Sequence, residues 1–183
     1  MIVNNFIRRT EFIKKNMFKI WILGILFLLT FTGFSAVRPS EKEITDSYLY
    51  MLGRYLIIRQ ENQDVNIEKT NYNKIKYNTP GLTEFANPNL DVVYLESWVA
   101  VDENNGVILN VPEIKDRYYT VQLLDGWGEV VANINERTYP KHPYGKFAIV
   151  LKGSSPKNVP KDALKIEVPF NKVKMLVRVE LKG

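Results

Sequence analysis

The stretch that decides the fold runs from residue 87 to residue 127 and reads NPNLDVVYLESWVAVDENNGVILNVPEIKDRYYTVQLLDGW. Apolar and polar residues alternate over Asp91–Val101, which is the period of a β-strand. Further strands are predicted at Val107–Val111 and Arg117–Leu124. Between the first two strands, the pair Asn105-Gly106 is typical of a type I′ hairpin turn, so we expect those strands to pair directly.

The same short period continues toward the end of the chain, after a second turn signal at Asp125-Gly126. Four more strands are predicted, at Glu129–Ile134, Lys146–Leu151, Ala163–Val168 and Val173–Leu181. Short strands separated by turn residues favour an antiparallel β-sandwich or open barrel over βαβ units. The predicted class is therefore mainly β (α+β), with one helix at the N-terminal side.

That helix is predicted over Glu41–Gln60, where apolar residues recur at helical spacing. Ser40 and Glu43 form a capping box at its start. Gly53 costs about 1 kcal/mol of helix propensity relative to alanine, which indicates a close packing contact or a bend. We expect the helix to be amphipathic and its tyrosines to lie at the edge of the core: Tyr48, Tyr50 and Tyr55. The asparagine-rich residues 61–78 are predicted to be a loop or a short extended arm.

The positive charge of the chain is concentrated at its N-terminus. The formal net charge is +5, and residues 1–36 hold five basic residues and one acidic residue. The other 147 residues hold 20 basic and 19 acidic residues. Because the rest of the chain is nearly neutral, its charge does not indicate nucleic-acid binding.

Residues 1–36 are predicted to be a signal peptide or a retained membrane anchor. A basic segment ending at Lys19 precedes an apolar run and then small residues, with a cleavage site predicted after Ser35. The rival interpretation is an uncleaved anchor, since a run of this length is marginal for spanning a bilayer. Either way we expect residues 37–183 to be one exported domain in the periplasm or cell envelope, which contacts the membrane only through the leader.

The residue types present exclude several kinds of chemistry. The chain has no cysteine, which excludes disulfides, thiolate catalysis and thiolate-bound zinc. Its one histidine, His142, is expected at the surface, and no Gly-x-Ser-x-Gly motif accompanies it. We therefore predict no metal site and no cofactor.

Two polar clusters are candidates for binding. In the first, Asn89 and Asp91 follow Pro88 and offer an amide and a carboxylate, or else they form a hydrogen-bonded turn that leads into the strand. The second cluster combines a guanidinium, a phenol, an amide, a carboxylate and an indole, which would suit a sugar or an acidic small molecule: Arg117, Tyr119, Gln122, Asp125 and Trp127. The alternative is that this second cluster is structural, with a turn at Asp125, a core Trp127, and Arg117 paired with an acid such as Asp116 or Asp91.

Several of these motifs occur in one order that resembles a bacterial family, domain of unknown function 1254. The motifs are Pro88-Asn89-Leu90-Asp91, then Val111-Pro112, then residues 117–125, reading RYYTVQLLD, with Trp127 after them. The likeness spans about residues 44–180. Where the family usually has Asp-Thr-Leu-Tyr, this chain has Val92 in place of the threonine. Members commonly continue into a second β domain, of unknown function family 1214, so the resemblance implies a site completed by such a domain on a neighbouring chain or by self-association. It implies fold and export, but no established reaction.

These observations favour an exported envelope domain that binds a small polar or saccharide-like ligand or a partner protein. One alternative is an envelope hydrolase or lyase with Asp91 or Asp125 as acid/base. In that case Arg117 and Tyr119 would stabilise developing negative charge. Another alternative is the truncated, inactive half of a two-domain protein.

Overall fold

The computed structural model describes Met17, residues 38–81 and residues 90–182. In chain order, a helix and a π-helical turn precede eight strands. The helical elements are α1 (Glu41–Glu61) and the π-helical turn (Asn62–Ile67). The strands are β1 (Lys76–Asn78), β2 (Val92–Ala100), β3 (Val107–Val111), β4 (Tyr119–Leu124), β5 (Val130–Ile134), β6 (Gly145–Leu151), β7 (Leu164–Val168) and β8 (Lys172–Glu180). Apart from Met17, the predicted leader lies outside the described residues, and so does Asn89. No helix within the described residues is both long enough and apolar enough to cross a membrane.

The strands form two sheets, which confirms the predicted mainly β sandwich. One sheet has five antiparallel strands in the order β1-β2-β8-β4-β5. The other has three strands in the order β3-β6-β7. The β6–β7 pair is parallel and so departs from the antiparallel pattern. These two strands can run in parallel because the segment 152–163 between them is long enough to return the chain to the same end of the sheet.

The core lies between the inner faces of the two sheets. On β4, the core side chains are Tyr119, Val121 and Leu123, while Thr120, Gln122 and Leu124 lie on the other face, as the period of two predicts. The buried cluster also includes residues of every strand from β2 to β8, among them Val99, Val111, Ile134, Phe147, Ile149, Val168, Val173 and Met175. The alternation over β4 therefore decides which of its polar groups point away from the core.

The predicted Asn105-Gly106 hairpin is wrong. Strand β2 pairs with β1 and β8, whereas β3 pairs with β6, so the connection carries the chain from one sheet to the other. Its turn is closed instead by the Asp102 carboxylate, which accepts from the amides of Asn104 and Asn105 at 2.7 Å each. Gly106 is needed for space, because an added Cβ would lie 2.9 Å from Val150 Cγ1.

Helix α1 begins at the predicted capping box. The amide of Ser40 donates to Glu43 Oε2 at 2.8 Å, and the amide of Glu43 donates to Ser40 Oγ at 3.2 Å. Gly53 makes the close contact that its position predicted, since an added Cβ would lie 2.9 Å from the carbonyl oxygen of Trp127. The expectation that the helix tyrosines lie at the core edge is wrong, because no residue of α1 is buried and Tyr48, Tyr50 and Tyr55 are all exposed.

The segment predicted as a loop or arm, residues 61–78, contains more regular structure than expected. It holds the π-helical turn and β1, which adds an edge strand beside β2. Asn73 ties the segment to the end of β2, because its side chain accepts from the amide of Ala100 at 2.8 Å and donates to that residue's carbonyl at 3.1 Å. The asparagine side chain thus substitutes for a neighbouring strand.

Candidate functional site

The start of β4 opens onto a cleft of about 650 Å³. We call it the arginine cleft, and its lining comes from the segment before β4, from the loop after β5 and from the end of β8. The lining residues are Lys115, Asp116, Arg117, Tyr118, Tyr119, Asn133, Asn135, Glu136, Arg137, Thr138 and Glu180. Two of the predicted ligand-binding residues, Arg117 and Tyr119, therefore lie in one cleft.

The arginine cleft has equal numbers of basic and acidic side chains, but they do not all form ion pairs with one another. It is lined by three basic and three acidic side chains. Lys115 lies 3.4 Å from Glu113, and Glu180 accepts from the amide of Tyr118 at 2.9 Å. Within the described part of the chain, the guanidinium groups of Arg117 and Arg137 make no hydrogen bond or ion pair. The pairing of Arg117 with Asp116 or Asp91 is therefore not present there, and both guanidinium groups remain available to a ligand.

The loop that carries Arg137 is held by its own side chains. Asn135 Oδ1 accepts from the amides of Arg137 and Thr138, at 2.9 and 3.0 Å. The Thr138 hydroxyl donates to the carbonyl of Asn133, and the Thr120 hydroxyl donates to Asn133 Oδ1. These bonds fix the backbone of the loop and leave the arginine side chain at its surface.

Tyr119 has a structural role at the floor of the arginine cleft. It is 3% exposed, and its hydroxyl donates to the carbonyl of Pro143 at 2.8 Å. Burial, together with the nearby Glu136 and Tyr144, raises the pKa of its phenol, so the group stays neutral and keeps donating. The exposed aromatic residue of the cleft is its neighbour Tyr118.

Asp125 and Trp127 lie at the other end of β4. Asp125 Oδ1 accepts from the amides of Trp127 and Glu129, at 2.8 and 3.0 Å, and thereby closes the β4–β5 turn. The Trp127 ring packs against Tyr50 of α1 with 5.2 Å between ring centroids. A shallow hollow of about 480 Å³ lies beside them. Since β4 has six residues, its ends are roughly 17 Å apart, and the predicted second cluster is not one site.

The other predicted residues are placed by the sheet. Gln122 lies midway along β4, half-buried on the face away from the core. Asp91 precedes β2 and accepts through its carbonyl from the amide of Leu181 at 2.8 Å. Because the start of β2 and the start of β4 both pair with the end of β8, Asp91 and Arg117 lie at the same end of the sheet.

The comparisons with known proteins identify the family. A family profile described as "Protein of unknown function (DUF1254)" matches residues 69–183. The chain belongs to this family. The DUF1254 fold is also similar to the crystal structure of the VPA0106 protein from Vibrio parahaemolyticus, with a TM-score of 0.60 and 20% identity over 75% of this chain and 32% of that one. The chain thus spans about a third of the length of that protein. No curated protein matches the chain.

A second polar constellation of the DUF1254 domain was not predicted. Asp64 of the π-helical turn is 3% exposed and contacts two buried residues of the five-stranded sheet. Its Oδ2 accepts from Trp98 Nε1 at 2.8 Å and from Lys174 Nζ at 2.6 Å. Lys174 also contacts Glu96 at 2.5 Å and lies over the Trp98 ring, 5.1 Å from its centroid. Gln60 donates to the other carboxylate oxygen at 2.9 Å.

This Asp64 network is a structural clamp rather than an open site. Burial pushes the pKa of Asp64 upward, but hydrogen bonds from Lys174 and Trp98 outweigh it, so the net shift is downward. Beside it, Lys172 bridges Glu61 at 2.7 Å and the hydroxyl of Tyr72 at 2.9 Å. Apart from Gln60, which lies four positions before Asp64, these partners are separated by 34 to 111 positions in the chain, so no local pattern could have predicted those contacts.

His142 is half-buried rather than on the free surface that the sequence predicted. Its ring packs edge-on against Phe147 with 4.9 Å between centroids, and Nε2 lies 3.2 Å from the carbonyl oxygen of Lys146. Among the residues that the structure describes, no three acidic or histidine side chains are grouped as metal ligands would be.

Proposed function

We propose that this DUF1254 domain is exported to the cell envelope and binds, in the arginine cleft, a small hydroxylated ligand that carries a carboxylate. Acidic monosaccharides, such as uronic acids, are the class that fits best. One observation carries this proposal. Arg117 and Arg137 line the same cleft, and neither guanidinium is committed to a described side chain.

The chemistry of arginine favours a planar anion. A guanidinium presents parallel N–H donors that match the two oxygens of a carboxylate, and such charge-assisted bonds are about twice as strong as neutral ones. The cleft has about 650 Å³, which lies within the roughly 300–1,000 Å³ typical of small-ligand sites.

The rest of the lining favours a ligand that is not a simple anion. Asp116 and Glu136 also line the cleft, and their carboxylates are acceptors for ligand hydroxyl groups. Tyr118, which is 49% exposed, offers an aromatic face against which a sugar ring packs. A polyanion would be repelled by the acidic residues, whereas a singly charged sugar would satisfy both kinds of group.

The position of Asp125 supports binding rather than acid/base catalysis at that residue. Its Oδ1 is already held by two amide donors of the turn, and it lies at the end of β4 opposite the arginine cleft. A carboxylate that closes a turn would lose those bonds if it moved to act on a substrate.

Isothermal titration calorimetry with D-glucuronate and D-glucose tests the proposal. We expect the wild-type protein to bind glucuronate more tightly than glucose. Arg117→Gln and Arg137→Gln should each weaken glucuronate binding by roughly 10-fold to 100-fold, the equivalent of one charge-assisted hydrogen bond. Arg59→Gln is the matched control, because Arg59 is exposed on α1 outside the cleft.

Two results would overturn the binding proposal. One is equal affinity for the acidic and the neutral sugar, or no binding of either. The other is unchanged glucuronate binding in both cleft variants while circular dichroism shows native folding.

Export is tested separately by sequencing the N-terminus of the protein recovered from fractionated cells. A mature form beginning at Ala36 in the periplasmic fraction would support the signal peptide. A membrane-bound form still beginning at Met1 or Met17 would support the retained anchor, and recovery from the cytosol would contradict export.

A further inference from the structure

Helix α1 has two faces, and the contacts that it makes with other described residues lie on one of them. The inner face contacts the domain through Gly53, Arg54 and Ile57. Gly53 lies against the Trp127 carbonyl, Arg54 donates to the carbonyl of Gly126 at 2.8 Å, and Ile57 Cδ1 would lie 3.5 Å from a Cβ at Gly128. Gly53 and Arg54 lie four and three residues before Ile57, so all three positions belong to one side of the helix.

The opposite face is largely apolar and exposed to solvent, with Arg59 one turn from Tyr55 and Leu56. We call it the outer face of α1, and its six large side chains are each 47% to 64% exposed: Tyr48, Leu49, Met51, Tyr55, Leu56 and Ile58. A solvated helix face normally carries charged and polar residues. Contiguous apolar patches of this kind mark interaction surfaces.

The spacing along the outer face is that of a helix pair. Tyr48, Met51, Tyr55 and Ile58 follow one another at intervals of three, four and three residues, which are the a and d positions of a heptad. Leu49 and Leu56 each follow a tyrosine of this seam by one residue, at the b positions of the heptad, and extend the apolar surface beyond the seam. This spacing is the one along which two helices interlock their side chains.

A second copy of this chain is the occupant that the face fits. If each of the six side chains still exposes on the order of 100 Å², the face offers roughly 600 Å² per copy. Pairing two copies would then cover up to about 1,200 Å², where specific interfaces begin. A two-fold pair needs only one self-complementary surface, and the seam supplies it.

An antiparallel arrangement suits the seam better than a parallel one. Across the two-fold axis it places Tyr48 opposite Ile58 of the second copy and Met51 opposite Tyr55. Each large ring then faces a smaller side chain, which lets the layers interdigitate. It also opposes the two helix dipoles. A parallel pair would instead set each tyrosine against its own copy.

The charge of α1 argues against a lipid surface as the occupant. Helices that lie on membranes carry lysine and arginine on their polar face. Helix α1 has four acidic and three basic residues, with Glu41 and Glu43 in its first turn. An anionic bilayer would repel that balance.

We therefore propose that the chain forms a two-fold dimer through the outer face of α1, with the two helices antiparallel. The absence of cysteine makes the test specific, because any introduced thiol is unique. Two full-length copies with different tags, one Met51→Cys and the other Tyr55→Cys, are expressed together, and the intact cells are treated with a mild oxidant.

We expect a disulfide-linked product that carries both tags and has the summed mass of the two tagged copies. Ile58→Lys, introduced in both copies, should lower its yield by roughly tenfold, since it buries a charge in the seam. Ile108→Lys is the matched control, because Ile108 is an exposed isoleucine on β3 of the other sheet and should leave the yield unchanged.

Each remaining outcome contradicts the proposal. Cross-linking of Met51→Cys with itself in preference to Tyr55→Cys would show a parallel pair. Products formed only with other proteins would assign the face to a different partner. No cross-link, or equal loss in Ile58→Lys and Ile108→Lys with both variants folded, would show that the face does not mediate pairing.

Discussion

Replacing Asp64 by alanine removes the acceptor at the centre of the network that joins the π-helical turn to the five-stranded sheet. Three donors lose their partner: Gln60 Nε2 at 2.9 Å, Trp98 Nε1 at 2.8 Å and Lys174 Nζ at 2.6 Å. Because Trp98 and Lys174 are buried, water does not easily replace the carboxylate.

The expected loss of stability is about 3–4 kcal/mol. A hydrogen bond to a charged group contributes about 1.5–3 kcal/mol, and a buried indole N–H left without an acceptor costs about 1–3 kcal/mol. The total stays below the sum of the upper values, because Lys174 keeps Glu96 at 2.5 Å as a second partner. For a domain of this size the melting temperature should fall by roughly 6–16 °C.

Urea unfolding followed by far-ultraviolet circular dichroism measures this effect at neutral pH. Asp64→Asn should be intermediate, with a loss of about 1–2 kcal/mol, because its amide oxygen still accepts one hydrogen bond but carries no charge. The control is Asp162→Ala, which breaks the ion pair with Lys146 at 2.7 Å. The side chain of Asp162 is 65% exposed, so that change should cost less than about 1 kcal/mol.

The difference between the wild type and Asp64→Asn should also depend on pH. The folded-state pKa of Asp64 is lowered, so its contribution is fully present above the unfolded pKa of about 3.9. It is lost as the pH falls through the folded-state value. The two proteins should therefore differ by a constant amount above about pH 5 and converge below about pH 4.

A loss of stability in Asp64→Ala no larger than that in Asp162→Ala would refute the structural role of the Asp64 network.

Substitutions at three further positions test the close contacts around the two ends of β4. Gly53→Ala should lower the free energy of unfolding by about 1–2 kcal/mol in urea titrations, because the contact with the Trp127 carbonyl outweighs the better helix propensity of alanine; a stabilised variant would contradict that contact. Tyr119→Phe should cost about 1 kcal/mol through the lost bond to Pro143 but leave glucuronate affinity unchanged in calorimetry, whereas a tenfold weaker affinity would show that the hydroxyl contacts the ligand. Asp125→Ala should lower the melting temperature more than Asp125→Asn, which retains an acceptor for the turn amides; equal melting temperatures would remove the structural role of that carboxylate.

The element boundaries could be predicted because they depend on neighbouring residues. The alternation of β4 and the capping box of α1 are local patterns, and the structure places both elements within two residues of the expected positions. Strand β1 was missed because it has only three residues, too few to show a period.

Strand pairing could not be predicted, because it depends on the whole chain. Asn105-Gly106 is a strong hairpin signal, but β3 gains more by joining β6, where Phe147 and Ile149 complete the core between the sheets. The glycine at the connection is required by the approach of Val150, which lies 44 residues further along the chain. Local turn propensity and global packing favoured the same residue for different reasons.

The candidate site was divided for a similar reason. Arg117 and Trp127 are ten positions apart in the sequence, and an extended strand converts that separation into distance rather than proximity. The sheet does bring one other predicted residue to the Arg117 end. Asp91 lies there because β2 and β4 both pair with β8. The groups at the Trp127 end are held by the turn and by α1, whereas the guanidinium of Arg117 has no partner among the described residues. An exposed guanidinium that the described residues do not pair can exchange water for the carboxylate of a ligand, and for that reason the binding proposal rests on the arginine end of β4.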